Sequence, residues 1–293
     1  MEKADNVKEI QALLNLLDDP DKEVFNEVTK KIFLYGSQII PHLESAWENT
    51  MEPETQKRIE NLIHQIQLKD LRAELEQWKR QDEKDLLAGW ILVSKYYYPE
   101  LNEDKIKLEI NRIRKDIWLE INDDLTAPEQ IKVFNHFFYD VFGFTGDLDS
   151  YNDPHNCYIN KILETRKGNP LSLGMLYLII AESLDMPVRG VDLPEHFVLA
   201  YTAKALNPDD LDKENINVLF YINAFSKGNI FSQQEAEWFL QQLSLESDPD
   251  NLRICSKSEI MSRLLMDLIT SYEKTNELAK AKELKSLYDI VTD

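Results

Sequence analysis

Gly168-Asn169-Pro170-Leu171-Ser172-Leu173 is the stretch on which the fold turns. Proline fits the first turn of a helix, where its missing N–H would have had no partner. The apolar residues that follow predict a helix from Pro170 to about Leu184. Three short runs rich in β-branched and aromatic residues come next: Val188 to Leu193, Phe197 to Thr202 and Val218 to Ile222. A core helix leading into a small antiparallel sheet, within an otherwise helical chain, makes the expected class α+β.

The last two runs flank a polar, acidic loop, Ala203 to Asn217. If they pair antiparallel, residues near 196 oppose residues near 223, and His196 and Asn223 meet at one end of the hairpin. An imidazole held by a side-chain carbonyl is the orienting half of a nucleophilic triad. The place for a nucleophile is the N-terminus of the core helix, where free N–H groups and the dipole favour an anion. Ser172 is the only hydroxyl or thiol in that first turn. Plainer readings stand beside these: Ser172 as a hydroxyl serving the helix end, and His196 as a half-buried histidine with ordinary partners.

Six of the eight glycines fall between Gly143 and Gly228, so tight turns concentrate around this region. Asp153 and Asn156 read as turn formers, Cys157 as a buried thiol, and Glu164 with Arg166 as a surface pair or a brace for the site. Upstream, the spacing is helical. Val7, Ile10, Leu13, Leu14 and Leu17 make one face, stopped by Asp18-Asp19-Pro20. Val24, Val28, Phe33 and Leu34 make a second, ending at Gly36, and a third helix runs to about Trp47. This pattern resembles a HEAT-type hairpin, with helices expected at 53–68 and 71–80 to stack on it. Helical faces follow at Leu86, Leu87, Trp90, Ile91 and Val93, at Ile106, Leu108, Ile110, Ile113 and Ile117, and in an aromatic helix from Ala127 to Phe142. Downstream, Ser232-Gln-Gln-Glu235 and Ser256-Lys-Ser-Glu259 are capping boxes. The last two helices resemble a tetratricopeptide hairpin, with Leu268, Tyr272 and Ala281 at packing positions. The expected division is 1–68, a helical subdomain; 69–245, the core; and 246–293, the terminal hairpin.

Composition narrows the function. The 293 residues are 43% hydrophobic and carry a net charge of −20. Such a chain repels nucleic-acid backbones and anionic lipid surfaces, so neither is an expected partner. The two cysteines, Cys157 and Cys255, lie in no metal-binding pattern; no metal and no cofactor are expected. The first residues lack an apolar signal core, and the longest apolar run, near Leu171 to Ala181, is short for a membrane span. The expected compartment is the cytoplasm.

The string Tyr151-Asn-Asp-Pro-His-Asn156, then Ile162-Leu-Glu-Thr-Arg-Lys-Gly-Asn-Pro-Leu-Ser-Leu173, then Pro187-Val-Arg-Gly-Val191 and Pro194-Glu-His-Phe197 resembles the bacterial SirB-type transglutaminase-like family. The resemblance spans about Asp85 to Ser232. It implies a fold similar to transglutaminases and papain-type proteases, where Cys, His and Asp or Asn act together. Carried over by position, Ser172 stands at or next to the cysteine, His196 at the histidine and Asn223 at the acid. Asn156, Arg166, Asn169 and Glu195, in the same string, become candidates for binding. Two departures from the family pattern matter: Glu195 replaces the glycine of Pro-Gly-His-Phe, and Asn223-Ala224-Phe225 replaces Asp-Pro-Phe. A serine hydroxyl is far harder to ionise than a thiol, and Asn cannot stabilise imidazolium by charge. The expected function is therefore a transglutaminase-like module, non-catalytic or weakly catalytic, that binds a protein or peptide. The rival is a hydrolase or acyltransferase acting on amides or esters through Ser172 and His196; a third reading is a scaffold with a vestigial cleft.

Overall fold

The structure is a computed structural model, which describes the chain except residues 1, 20, 123, 151, 152, 194, 195, 204–216, 243–251 and 293. The chain divides into two compact units, Met1–Glu74 and Leu75–Asp293.

Among the described residues of the first unit every regular element is a helix: α1 (Glu2–Leu14), α2 (Lys22–Tyr35), a 3-10 turn at Gly36–Ile39, α3 (Ile40–Asn49) and most of α4 (Pro53–Lys79). The Asp21 carboxylate caps α2 by accepting from Glu23 N at 2.8 Å, and Gly36 ends it with φ of 59°. Leu13, Leu17, Val28, Ile32, Leu43, Ile59 and Leu62 share one core. Leu34, expected on the apolar face of α2, is 86% exposed. It stands two residues, about 200°, around the helix from buried Ile32. The two helices expected at 53–68 and 71–80 are one, α4. No Gly or Pro interrupts Gln67-Leu68-Lys69-Asp70, and Leu68, Leu71, Leu75 and Trp78 hold helical spacing through the expected break.

In the second unit α5 (Leu86–Lys95) and α6 (Glu103–Trp118) bury most of the expected faces, but Leu87 is only partly buried and Leu108 is 72% exposed. The helix α7 (Ala127–Asn135) widens into a π-turn over His136–Val141, whose Tyr139 hydroxyl donates to Ala224 O at 2.7 Å. Two short parallel strands, β1 (Thr145–Gly146) and β2 (Lys167–Gly168), flank α8 (Ile159–Thr165). The central helix is α9 (Pro170–Ser183), buried on every side from Pro170 to Ala181.

One face of an antiparallel sheet packs on α9. Its order is β3 (Val188–Leu193), β4 (His196–Thr202), β5 (Val218–Asn223), β6 (Asn229–Phe231). Its other face, with Val191, Val198, Ala200 and Tyr221, meets Ala236 and Leu240 of α10 (Gln233–Gln242). The free edge of β3 is latched by an antiparallel bridge from Val191 to Ile254 and by Cys255 N donating to Gly190 O at 2.8 Å. The terminal pair, α11 (Lys257–Lys274) and α12 (Leu278–Thr292), packs within this unit, against α5, α9 and the 3-10 turn Pro154–Cys157. Tyr158 and Tyr272 share a hydroxyl hydrogen bond of 2.9 Å, and the Tyr96 hydroxyl donates to Glu283 at 2.8 Å. The boundary thus falls at 74/75, and the segment 246–293 is not set apart from the core.

Candidate functional site

Asn169 and Ser172 lock the start of α9. Asn169 Oδ1 accepts from Ser172 N at 2.8 Å, and Ser172 Oγ accepts from Asn169 N at 3.0 Å, a reciprocal capping box. The Ser172 hydroxyl also donates to Asn169 O at 3.2 Å, and the residue is fully buried. Gly168 closes over it: a Cβ there would lie 2.6 Å from Ser172 Oγ. Behind Asn169, its Nδ2 donates to Cys157 Sγ at 3.5 Å, and burial pushes the Cys157 thiol far up.

Two binding candidates brace this helix start from outside. Asn156 Nδ2 donates to Ser150 O at 2.7 Å and to Asp147 Oδ2 at 3.3 Å, and Asp147 N in turn donates to Gly168 O. Arg166, at φ of 59° just after α8, pairs with Glu109 and lies 4.8 Å over the Phe144 ring. Glu164 pairs with Lys161 at 2.7 Å, so Arg166 and Glu164 are not a pair with each other. Glu195 lies outside the described residues.

A cleft of about 590 Å³ opens beside this helix start. One wall is the start of α9 (Asn169, Pro170, Leu171) with His196 and Phe197 of β4; the other is α11, with Arg263, Asp267, Thr270, Ser271 and Lys274. Of the three triad candidates His196 lines the cleft, while Ser172 and Asn223 do not. The hairpin is antiparallel as expected, with Leu199 opposite Ile222. One step further, Asn223 comes level with Val198, so it is offset by two residues from His196 on the same face. Its Oδ1 accepts from Phe225 N at 3.0 Å and Ser226 N at 3.1 Å, an Asx turn that ends β5.

The α11 wall is what sequence reasoning missed. Arg263, Asp267, Thr270 and Lys274 recur at helical spacing and were legible as a polar stripe, but periodicity does not say which surface a stripe faces. Arg263 spans two carboxylates, Nη1 to Asp192 Oδ1 at 2.7 Å and Nε to Asp267 Oδ1 at 3.1 Å. Burial raises both carboxyls above the ordinary value, against the pull of Arg263. A second cleft, of about 440 Å³, lies on the other side of Arg263, lined by Asp192, Arg253, Cys255, Glu259 and Tyr288 among others. Among the described residues no three His, Cys, Asp or Glu side chains group as a metal site, and no helix is long and apolar enough to cross a membrane. Chemically, the first cleft offers amide, hydroxyl and charged groups but no exposed nucleophile at its helix end.

Residues 104–266 match the family model described as the transglutaminase-like superfamily. Among relatives, the chain is 29% identical over 159 residues to a UPF0162 protein of Vibrio cholerae, covering 54% of each. It is 28% identical over 204 residues to Protein SirB1 of Salmonella typhimurium, covering 66% of this chain and 70% of that one. Against F-box only protein 21 of Mus musculus the identity is 32% over 114 residues, 38% of this chain and 17% of that one. The chain spans about half or less of the length of the first relatives it matches. No solved structure matches it.

Proposed function

Because the chain belongs to the SirB-type transglutaminase-like family, we propose that it is a non-catalytic member whose cleft holds a segment of a protein or peptide. The observation that carries this reading is the closure of Ser172. Its hydroxyl is fully buried and engaged at both ends with Asn169, while the cleft beside it stays open. A hydrolase or acyltransferase needs its nucleophile at hydrogen-bond reach of a base and exposed to the carbonyl. A binder needs only the cleft, and amide, hydroxyl and charged groups on its walls suit a polypeptide. The net charge of −20 disfavours nucleic acid as the partner, and two free thiols suit a reducing compartment such as the cytoplasm.

The test has two arms. The protein is treated with a fluorophosphonate and the modified residue sought by mass spectrometry; we expect Ser172 unmodified, and its labelling would replace this reading with the hydrolase. Separately, a displayed peptide library is selected on the protein and the enriched peptides titrated. We expect saturable binding that is lost when the exposed Thr270 is changed to Trp to fill the cleft. Binding indifferent to Thr270→Trp would move the interaction elsewhere.

A further inference from the structure

The exposed Leu108 is not alone on its side of α6. Leu108, Arg112, Lys115 and Leu119 fall within about 60° of helical arc, opposite the buried row Ile106, Ile110, Ile113 and Ile117. Leu119 is 63% exposed, and Trp118, at the edge of the stripe, is 60% exposed. Arg112 lies 5.9 Å over the Phe142 ring, and the exposed Val141 precedes that ring where the π-turn packs beside α6. The stems of Arg112 and Lys115 join the apolar ends, so the stripe is continuous over about three turns, roughly 16 Å. Apolar residues exposed singly are ordinary, but a contiguous row of them marks an interaction site.

The charge of the stripe runs against that of the chain. Between Leu108 and Leu119 the exposed charged side chains are Arg112 and Lys115, both positive. The acids of that span, Glu109 and Asp116, are half-buried on its flank. Glu109 is shared by Arg112 at 3.6 Å and by Arg166, so that group keeps one positive charge. Exposed acids stand only at the two ends: Asp104, beside Lys105 and Lys107, and Glu120. From Asp104 to Glu120 the chain has five basic residues to four acidic, in a molecule with 33 to 53. We propose that this stripe is a docking surface for an acidic amphipathic helix of another protein. Its apolar residues would cover Leu108, Trp118 and Leu119, and its carboxylates would meet Arg112 and Lys115. A helix suits the stripe, because a straight row of side chains packs into the grooves between a partner helix's ridges. A second copy and an anionic membrane are the rival occupants. Both are repelled by a net charge of −20, and a short acidic helix, with few charges, feels least of that repulsion.

The stripe shares no residue with the cleft, so the test uses protein whose cleft is filled by Thr270→Trp. A displayed library of short peptides is selected on it, and the enriched peptides are titrated by fluorescence anisotropy. We expect peptides rich in Asp and Glu, with apolar residues at helical spacing, that gain helical circular dichroism when bound. Their affinity should fall about tenfold or more in Leu108→Asp and in Lys115→Glu. It should change about twofold or less in Lys285→Glu, which alters the net charge equally at an exposed site on α12. No enrichment, enriched peptides that are not acidic, or affinity indifferent to Leu108→Asp and Lys115→Glu would each overturn the proposal. So would sedimentation showing that the wild type self-associates and Leu108→Asp does not, which assigns the stripe to a second copy. Retention on phosphatidylglycerol vesicles that is lost in Leu108→Asp assigns it to a membrane and overturns the proposal as well. The cleft reading is judged separately, by the peptides that Thr270→Trp abolishes.

Discussion

Ser172 shows how far a single residue can be read from a sequence. Its place at the head of α9 and its plainer role as a helix-end hydroxyl were both legible, because Asn-Pro-x-Ser is local chemistry. That its Oγ is sealed under Gly168 was not, since the seal depends on the backbone path from β2 into α9. Removing the hydroxyl leaves Asn169 N buried without its acceptor. We therefore expect Ser172→Ala to lower stability by about 1–3 kcal/mol in urea unfolding, far more than a surface serine would cost. The cysteines give a second check. Cys157 is enclosed, and the half-buried Cys255 thiol is pushed up to about 12 by burial and by the charge of Asp192. A thiol reacts through its thiolate, so at pH 8 iodoacetamide should modify Cys255 on the order of a thousandfold more slowly than a free cysteine. Cys157 should react only as the core opens, and fast labelling of the folded protein at Cys157 would contradict the packing described. Arg166 taught the opposite lesson: its partner Glu109 lies on α6, 57 residues away, where no local pattern points.

At the scale of elements, the sheet and its helix are joined through one ring. A Cβ on Gly174 of α9 would come 2.5 Å from the Phe197 ring, and one on Gly190 of β3 would come 2.7 Å from the same ring. Alanine at 174 gains about 1 kcal/mol in helix propensity. Against that stands a clash with a buried ring, typically costing about 1–3 kcal/mol. We expect Gly174→Ala to lower the melting temperature, and Phe197→Leu to restore part of the loss in the double variant; a melting temperature that rises would mean the ring moves freely. The helix starts respond to acid. Hydrogen bonds from the Thr126 hydroxyl and backbone N–H lower the Glu129 carboxyl, and those of Ser232 lower Glu235, both below the ordinary 4.5. Their folded values are depressed, so their stabilisation is present above that value and is lost as pH falls through the folded values. Acid titration followed by helical circular dichroism should show Glu129→Gln and Glu235→Gln flattening the low-pH loss. The strands β3, β4 and β5 were legible because their residues are β-branched or aromatic in short runs. β6 was not, because Asn229-Ile-Phe231 is too short to show a period. The single helix α4 was read as two, and α11 was assigned to a separate hairpin, because periodicity identifies a helix's buried face but not what covers it.

For the molecule as a whole, charge and edges govern how one copy meets another. With 53 acidic against 33 basic side chains, folding brings like charges together, and salt screens that repulsion. We expect the melting temperature at pH 7 to rise between 10 and 300 mM NaCl, over which the Debye length shortens from about 30 Å to about 6 Å; a fall would mean that ion pairs such as Arg253–Glu259 outweigh the global term. The latch of Ile254 on β3 has a consequence of a different kind. A sheet grows by lending its unpaired N–H and C=O groups to a strand of a neighbouring chain. Here one margin is already occupied by the chain's own Val191–Ile254 bridge, and the other ends in the three residues of β6. The folded protein therefore offers little template for fibril growth, and solutions crowded enough to polymerise an open sheet should leave this one dispersed until the bridge itself comes undone.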